Sequence, residues 1–104
     1  MDTGKYAVMV IAFAGDSKSA SMEAIEAARK GDFATADKLL KKSSDALLKA
    51  HEVHTELLVN EARDENMKIS MILVHASNHF SIAEMTKELA EQFVKLYKEV
   101  KNGL

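Results

Sequence analysis

The sequence holds no cysteine, no proline and only four glycines. Without thiols there are no disulfide staples, no thiolate zinc sites and no cysteine nucleophile, although His and carboxylate metal sites stay open. With so few helix breakers among many Ala, Lys, Glu and Leu residues, the chain is expected to be all-α. Charge of one sign is also lacking. Fourteen Lys and Arg stand against 16 Asp and Glu, a net of -2 without a basic block, which removes the electrostatic footprint of a nucleic-acid binder. Long apolar runs are missing too. The stretch Tyr6 to Ala14 follows Lys5 and ends in Ala12-Phe13-Ala14, imitating a small-x-small cleavage site. It falls well short of the ~20 residues that span a bilayer, and Asp2 offsets Lys5. The expectation is a cytoplasmic chain that does not insert into a membrane and whose partners are proteins or small molecules.

What is present is helical spacing. The 104 residues, 47% hydrophobic and 29% charged, suffice for one modest core, hence a single domain over residues 1–104. Tyr6, Met9, Val10, Phe13, Ala20, Ala24, Ile25 and Ala28 predict a first helix from about Thr3 to Lys30. Gly15 inside it costs only about 1 kcal/mol relative to Ala, so one helix with a possible bend is expected. Gly31 suits the left-handed position that closes a helix, and Asp32 suits the N-cap of the next. A second helix to about Arg63 carries Phe33, Ala36, Leu39, Leu40, Ser43, Leu47, Ala50, His54, Leu57, Leu58 and Ala62 on one stripe, and the polar segment 64–68 follows. A third, from about Ile69 to Lys101, has Ile69, Ile72, Leu73, Ala76, Phe80, Ala83, Leu89, Phe93, Leu96 and Val100 on its expected inner face, with Val74, Ile82 and Met85 off it. Three long helices and short turns predict an antiparallel up-down-up bundle. The surplus apolar positions predict a second buried surface between subunits.

All four histidines fall in pairs, His51/His54 on the second helix and His75/His79 on the third, at i,i+3 and i,i+4 spacings that place each pair on one face. Neutral imidazoles so spaced suit a transition metal. However, His51-Glu52-Val53-His54 is one residue short of H-E-x-x-H, and no Glu precedes a His by three. His54 reads as an ordinary, hydrogen-bonded residue. The other chemistry is phosphoryl acceptance by a neutral ring nitrogen, for which His75 is the best candidate. Its run Leu73-Val74-His75-Ala76-Ser77-Asn78-His79-Phe80 sets a second imidazole one turn away and small polar side chains nearby. Residue spacing alone leaves open a polar seam between subunits, a metal-binding bundle and a passive helical adaptor.

Several segments together resemble a known family. Phe13-Ala14-Gly15-Asp16-Ser17-Lys18-Ser19 is similar to an aromatic-A-G-D-x-[RK]-S segment, and Lys30 to Ala36 to a G-D-F-x-x-A turn. Ala50-His51 with Thr55-Glu56-Leu57 resembles A-H-x-x-Q-T-x-L, and Val74 to His79 resembles V-H-A-Q-D-H. In this order they resemble the IIA components of the lactose/cellobiose group of the bacterial sugar phosphotransferase system, over nearly the whole chain. The resemblance implies a homotrimer of three-helix bundles in which His75 takes a phosphoryl group from HPr. It also implies transfer to a cysteine of a sugar-specific IIB partner, which serves a disaccharide entering through the membrane component IIC. His79 and His51 are the side chains expected to donate to the phosphoryl oxygens, in a groove at a subunit interface. Three positions depart from the pattern: His54 and Ser77 stand where Gln is usual, and Asn78 where Asp is usual. That Asp can hold a metal on the trimer axis. Neutral Asn78 is a poorer ligand for a hard cation, so no cofactor is expected to be required. The sugar itself is not legible in this chain.

Overall fold

Capping side chains set where the helices begin. The carboxylate of Asp2 accepts from Lys5 N at 3.0 Å, that of Asp32 from Thr35 N at 3.1 Å, and the hydroxyl of Ser70 from Leu73 N at 3.3 Å. The computed structural model describes residues 1–103, and these caps open its helices α1 (Thr3–Arg29), α2 (Phe33–Arg63) and α3 (Met71–Lys101). The α1–α2 turn is as expected: Gly31 has φ 84°, Gly31 N donates to Ala28 O, and Asp32 N donates to Ala27 O, the paired bonds of a Schellman ending. Helix α1 runs unbroken through Gly15. Helix α3 starts two residues later than the apolar pattern suggests, because Ser70 caps it and leaves Ile69 outside and exposed.

The helices form the expected up-down-up bundle, a rod of 58 × 18 × 18 Å with α1 packed along both other helices. Its interior is built from small residues on a seven-residue repeat. On α1 the buried positions are Ala7, Val10, Ala14, Ser17, Ser21, Ala24 and Ala28, alternately three and four apart, together with Ala20. On α2 they are Ala36, Ser43, Ala50 and Leu57. Such a repeat keeps one seam facing its neighbours along coiled helices, and Ala and Ser let the backbones approach closely. Where the α1 and α2 seams would otherwise bury bare hydroxyls, Ser43 Oγ lies 3.0 Å from Ser17 Oγ and 2.7 Å from Ser21 Oγ. No buried side-chain polar atom among the described residues lacks a partner.

This small-residue seam corrects the expected inner face of α3. Its buried residues are Leu73, Ala76, Phe80, Ala83, Ala90 and Val94, whereas Leu89, Phe93, Leu96 and Val100 are exposed. Together with Met71, Val74, Ile82 and Met85 they fall within an arc of about 100° on the helix wheel, nearly opposite the seam. The result is one exposed apolar stripe running the length of α3, with Asn78 inside it and His75 and Gln92 at its edges. On α1, likewise, Tyr6, Met9, Phe13 and Ile25 are only partly buried, and on α2 Leu58 and Ala62 are exposed.

Candidate functional site

Helix α3 carries His75 and His79 on successive turns near its start, on the flank that faces α1. The His75 ring is exposed and that of His79 half-buried. Their Nε2 atoms are 2.9 Å apart and their planes nearly perpendicular, at 77°. In an N–H···N bond one ring must offer a lone pair, so at least one imidazole of the pair is neutral. Around His75 the neighbouring turns present Met71, Ile72, Val74 and Asn78, all exposed, so the imidazole sits at the edge of the apolar stripe. His79 also lines a groove of about 500 Å³ with Gly15, Lys18, Ser19, Met22 and Glu23 of α1.

That groove gives the α1 motif a division of labour. Ala14 and Ser17 are core residues, while Gly15, Lys18 and Ser19 turn to the groove beside His79. A Cβ on Gly15 would meet nothing within 4 Å. Helical spacing alone does not place these residues beside the histidine pair. The signal in the sequence is Gly15 itself, a poor helix former in mid-helix.

The second histidine pair lies on the other flank of α3, against α2. The His54 ring stacks on Phe80 at 5.0 Å and 17°, and its Nε2 is 3.0 Å from Ser77 Oγ. His51 is exposed, with its ring 5.8 Å from that of Phe80, in a groove shared with Leu48, Glu84 and Lys87. Burial, and then the charge on nearby His51, hold the His54 imidazole below the ordinary histidine range. The structure therefore joins His75 to His79 and does not bring His51 to them within one chain. It also does not assemble the four imidazoles: among the described residues no group of three or more His, Cys, Asp or Glu could hold a metal ion. Asn78 is exposed on the stripe. It shares a cleft of about 240 Å³, at the α2–α3 end of the rod, with His54 and Ser77.

The rod of three antiparallel helices matches a known family. Residues 5–98 match the family described as PTS system, Lactose/Cellobiose specific IIA subunit. Among similar proteins, the lichenan-specific phosphotransferase enzyme IIA component of Bacillus subtilis is 37% identical over 91 residues, covering 88% of this chain and 83% of that protein. The lactose-specific EIIA component of Staphylococcus aureus is 35% identical, with 86% of each chain covered. The crystal structure of the cellobiose-specific enzyme IIA from Bacillus anthracis superposes with a TM-score of 0.91 at 38% identity, over 98% of this chain and 94% of that one. The IIA(Chitobiose) of Escherichia coli, solved in complex with HPr, gives 0.85 at 31%, over 97% and 98%. The chain belongs to the lactose/cellobiose-specific IIA family of the sugar phosphotransferase system. No helix among the described residues is long and apolar enough to cross a membrane.

Proposed function

We propose that this IIA protein is a phosphoryl carrier in disaccharide uptake: His75 accepts the group from phospho-HPr in the cytoplasm and hands it to a sugar-specific IIB partner that serves IIC. The observation that carries this reading is the exposed His75 ring with its Nε2 held 2.9 Å from that of His79. As His75 Nε2 attacks phosphorus, the bond from phosphorus to the donor breaks and the donor keeps that electron pair. The attacking lone pair must first be released by His79, whose N–H can then turn to a phosphoryl oxygen. The incoming group brings nearly two negative charges, which a site open to water on one side accommodates at small cost. A carrier also gains nothing from holding its cargo tightly, since stabilising phosphohistidine would raise the barrier to the next transfer. His51, on the far flank of α3, lies outside this chain's own donor set.

The unpartnered stripe supports the second part of the reading, a homotrimer in which three copies of α3 meet. Side chains as large as Met85, Leu89 and Phe93, each about half exposed, are unusual along the full length of one helix in a monomer. Asn78 interrupts that stripe with apolar Val74 and Ile82 one turn to either side. A site at the threefold axis would therefore offer amides and no carboxylate. That donor set does not fit a hard divalent cation, and neutral amides can pair with one another where carboxylates would repel. We therefore assign no axial metal a part in the transfer.

The test is incubation with phosphoenolpyruvate, enzyme I and HPr, followed by intact mass. The parent should gain one acid-labile phosphoryl group, and His75→Gln should gain none while keeping its helical content and Tm. A parent that folds and assembles but takes no phosphoryl would refute the carrier and favour a passive helical adaptor.

A further inference from the structure

We infer that His75 and His79 form a bidentate site for a transition-metal dication of tetragonal preference, Cu2+ foremost and Ni2+ after it. An ion held there and a phosphoryl group on His75 exclude each other. The argument starts from a distance. Two imidazole nitrogens bound about 2.05 Å from one metal are about 2.9 Å apart at a right angle and about 3.3 Å apart at the tetrahedral angle. The two Nε2 atoms stand 2.9 Å apart, so they have the separation of a cis pair at a square-planar or octahedral centre. The i,i+4 spacing on a continuous helix fixes both rings to one rigid element, which lowers the ordering cost of closing the chelate. An ion there replaces a single ring-to-ring hydrogen bond.

Access and stoichiometry set the kind of site. His75 is exposed and His79 half-buried, so water can fill the remaining coordination positions. No third protein ligand completes a cage among the described residues, which makes the site exchangeable rather than structural. With two imidazoles and water as donors, affinity follows the general order that peaks at Cu2+. The other imidazole pair takes no part: His54 is held against Phe80 and Ser77 on the opposite flank, with His51 beside it.

The consequence rests on the proposed carrier role. The lone pair of His75 Nε2 that binds the ion is the one that must attack phosphorus, and once phosphorylated that nitrogen has none to give. Each occupant therefore lowers the affinity for the other, and the effect is reciprocal.

The test titrates the full chain with Cu2+, Ni2+ and Zn2+, read by calorimetry and by the visible absorption of the Cu2+ and Ni2+ complexes. The expected order is Cu2+, then Ni2+, with Zn2+ weaker than Cu2+. Either His75→Gln or His79→Gln reduces a chelate to one donor and should weaken Cu2+ binding about 100-fold or more. His51→Gln and His54→Gln should leave it unchanged. Parent-like Cu2+ affinity in His79→Gln, or Zn2+ binding tighter than Cu2+, would overturn the site. A second arm adds purified phospho-HPr to chain preloaded with Cu2+ and reads the mass of this chain alone. Phosphoryl uptake should be lost and restored by a chelator. Uptake undiminished with the ion bound overturns the exclusion. A metal-free parent that takes no phosphoryl overturns the carrier reading instead, and the titration still decides the chelate.

Discussion

Two leucines on α3 separate the bundle from the assembly. Leu73 is 8% exposed and packs into the core with Ala7, Ala76 and Phe80, whereas Leu89 is 50% exposed on the outer stripe. Truncating Leu73 to Ala removes buried methyl groups and leaves a cavity, at a cost of about 2 to 5 kcal/mol to the folded monomer. Truncating Leu89 costs the monomer little, because half of the side chain is already in water. In a trimer that covers the stripe, the exposed half is buried by association. Full burial of such a side chain contributes about 1.5 to 3 kcal/mol, so half contributes about 1 kcal/mol per subunit and about 3 kcal/mol per trimer.

Three kilocalories correspond to a factor of roughly 150 in the association constant. Because dissociation into three monomers scales with the square of concentration, the midpoint of a dilution series should rise by the square root, about twelvefold. Sedimentation equilibrium over a concentration series reads that shift directly. Below the midpoint, thermal melts should show Leu89→Ala close to the parent and Leu73→Ala lower by about 4 to 8 °C for each kilocalorie lost. Phe93→Ala should behave like Leu89→Ala. An unchanged dissociation midpoint in Leu89→Ala, or a monomer melt lowered as far as that of Leu73→Ala, would refute the assignment of two distinct faces.

The remaining predictions concern the core and the second histidine pair. Ser43→Ala takes the shared partner from two buried hydroxyls; each can still bond a carbonyl one turn back, so a loss of about 1 to 3 kcal/mol is expected by urea denaturation. Gly15→Ala adds a methyl where nothing lies within 4 Å and should stabilise the monomer by about 0.5 to 1 kcal/mol, raising Tm. The sign for His54 follows from its lowered value: the unfolded imidazole takes a proton at a higher pH than the folded one. Its contribution is therefore complete above the unfolded pKa of about 6.5 and is lost as pH falls through the lower folded value. The stability difference between parent and His54→Gln should change over that window and be flat above it, as read by denaturant titrations at stepped pH.

The legibility of the fold divides along the sizes of the side chains. Element type, order and the Gly31-Asp32 turn can all be read from the sequence, because helix breakers are scarce and Gly31 is followed directly by an N-cap residue, although scarcity alone does not make a boundary, since Gly15 stays inside α1. The start of α3 lies two residues beyond the first apolar position, because the Ser70 hydroxyl caps the helix and leaves Ile69 outside it. The inner face of α3 departs from the apolar pattern for a deeper reason. Hydrophobic size does not mark the core here: it is made mainly of Ala and Ser, with few large residues such as Leu73 and Phe80, and most large apolar side chains of α3 lie outside. In a thin rod with closely approaching helices there is no room for Leu or Phe at every layer, so the seam had to be sought by its strict 3–4 alternation rather than by bulk.

The site was legible where its residues share a helix and hidden where they do not. The pairing of His75 with His79 follows from i,i+4 geometry alone, whereas the flank on which His51 falls depends on how α2 docks, which no local pattern encodes. The family departures show the same limit. His54, Ser77 and Asn78 are 23 or more residues apart along the chain in one case and adjacent in the other, and read singly they are three unrelated substitutions. In the fold all three line one cleft, and two of them hydrogen-bond to each other. In this chain His54 and Ser77 are therefore two halves of one contact, an imidazole paired with a short hydroxyl. That pairing ties α2 to the turn of α3 following His75, and it leaves Asn78 as the one departure facing outward, where another copy of α3 would meet it.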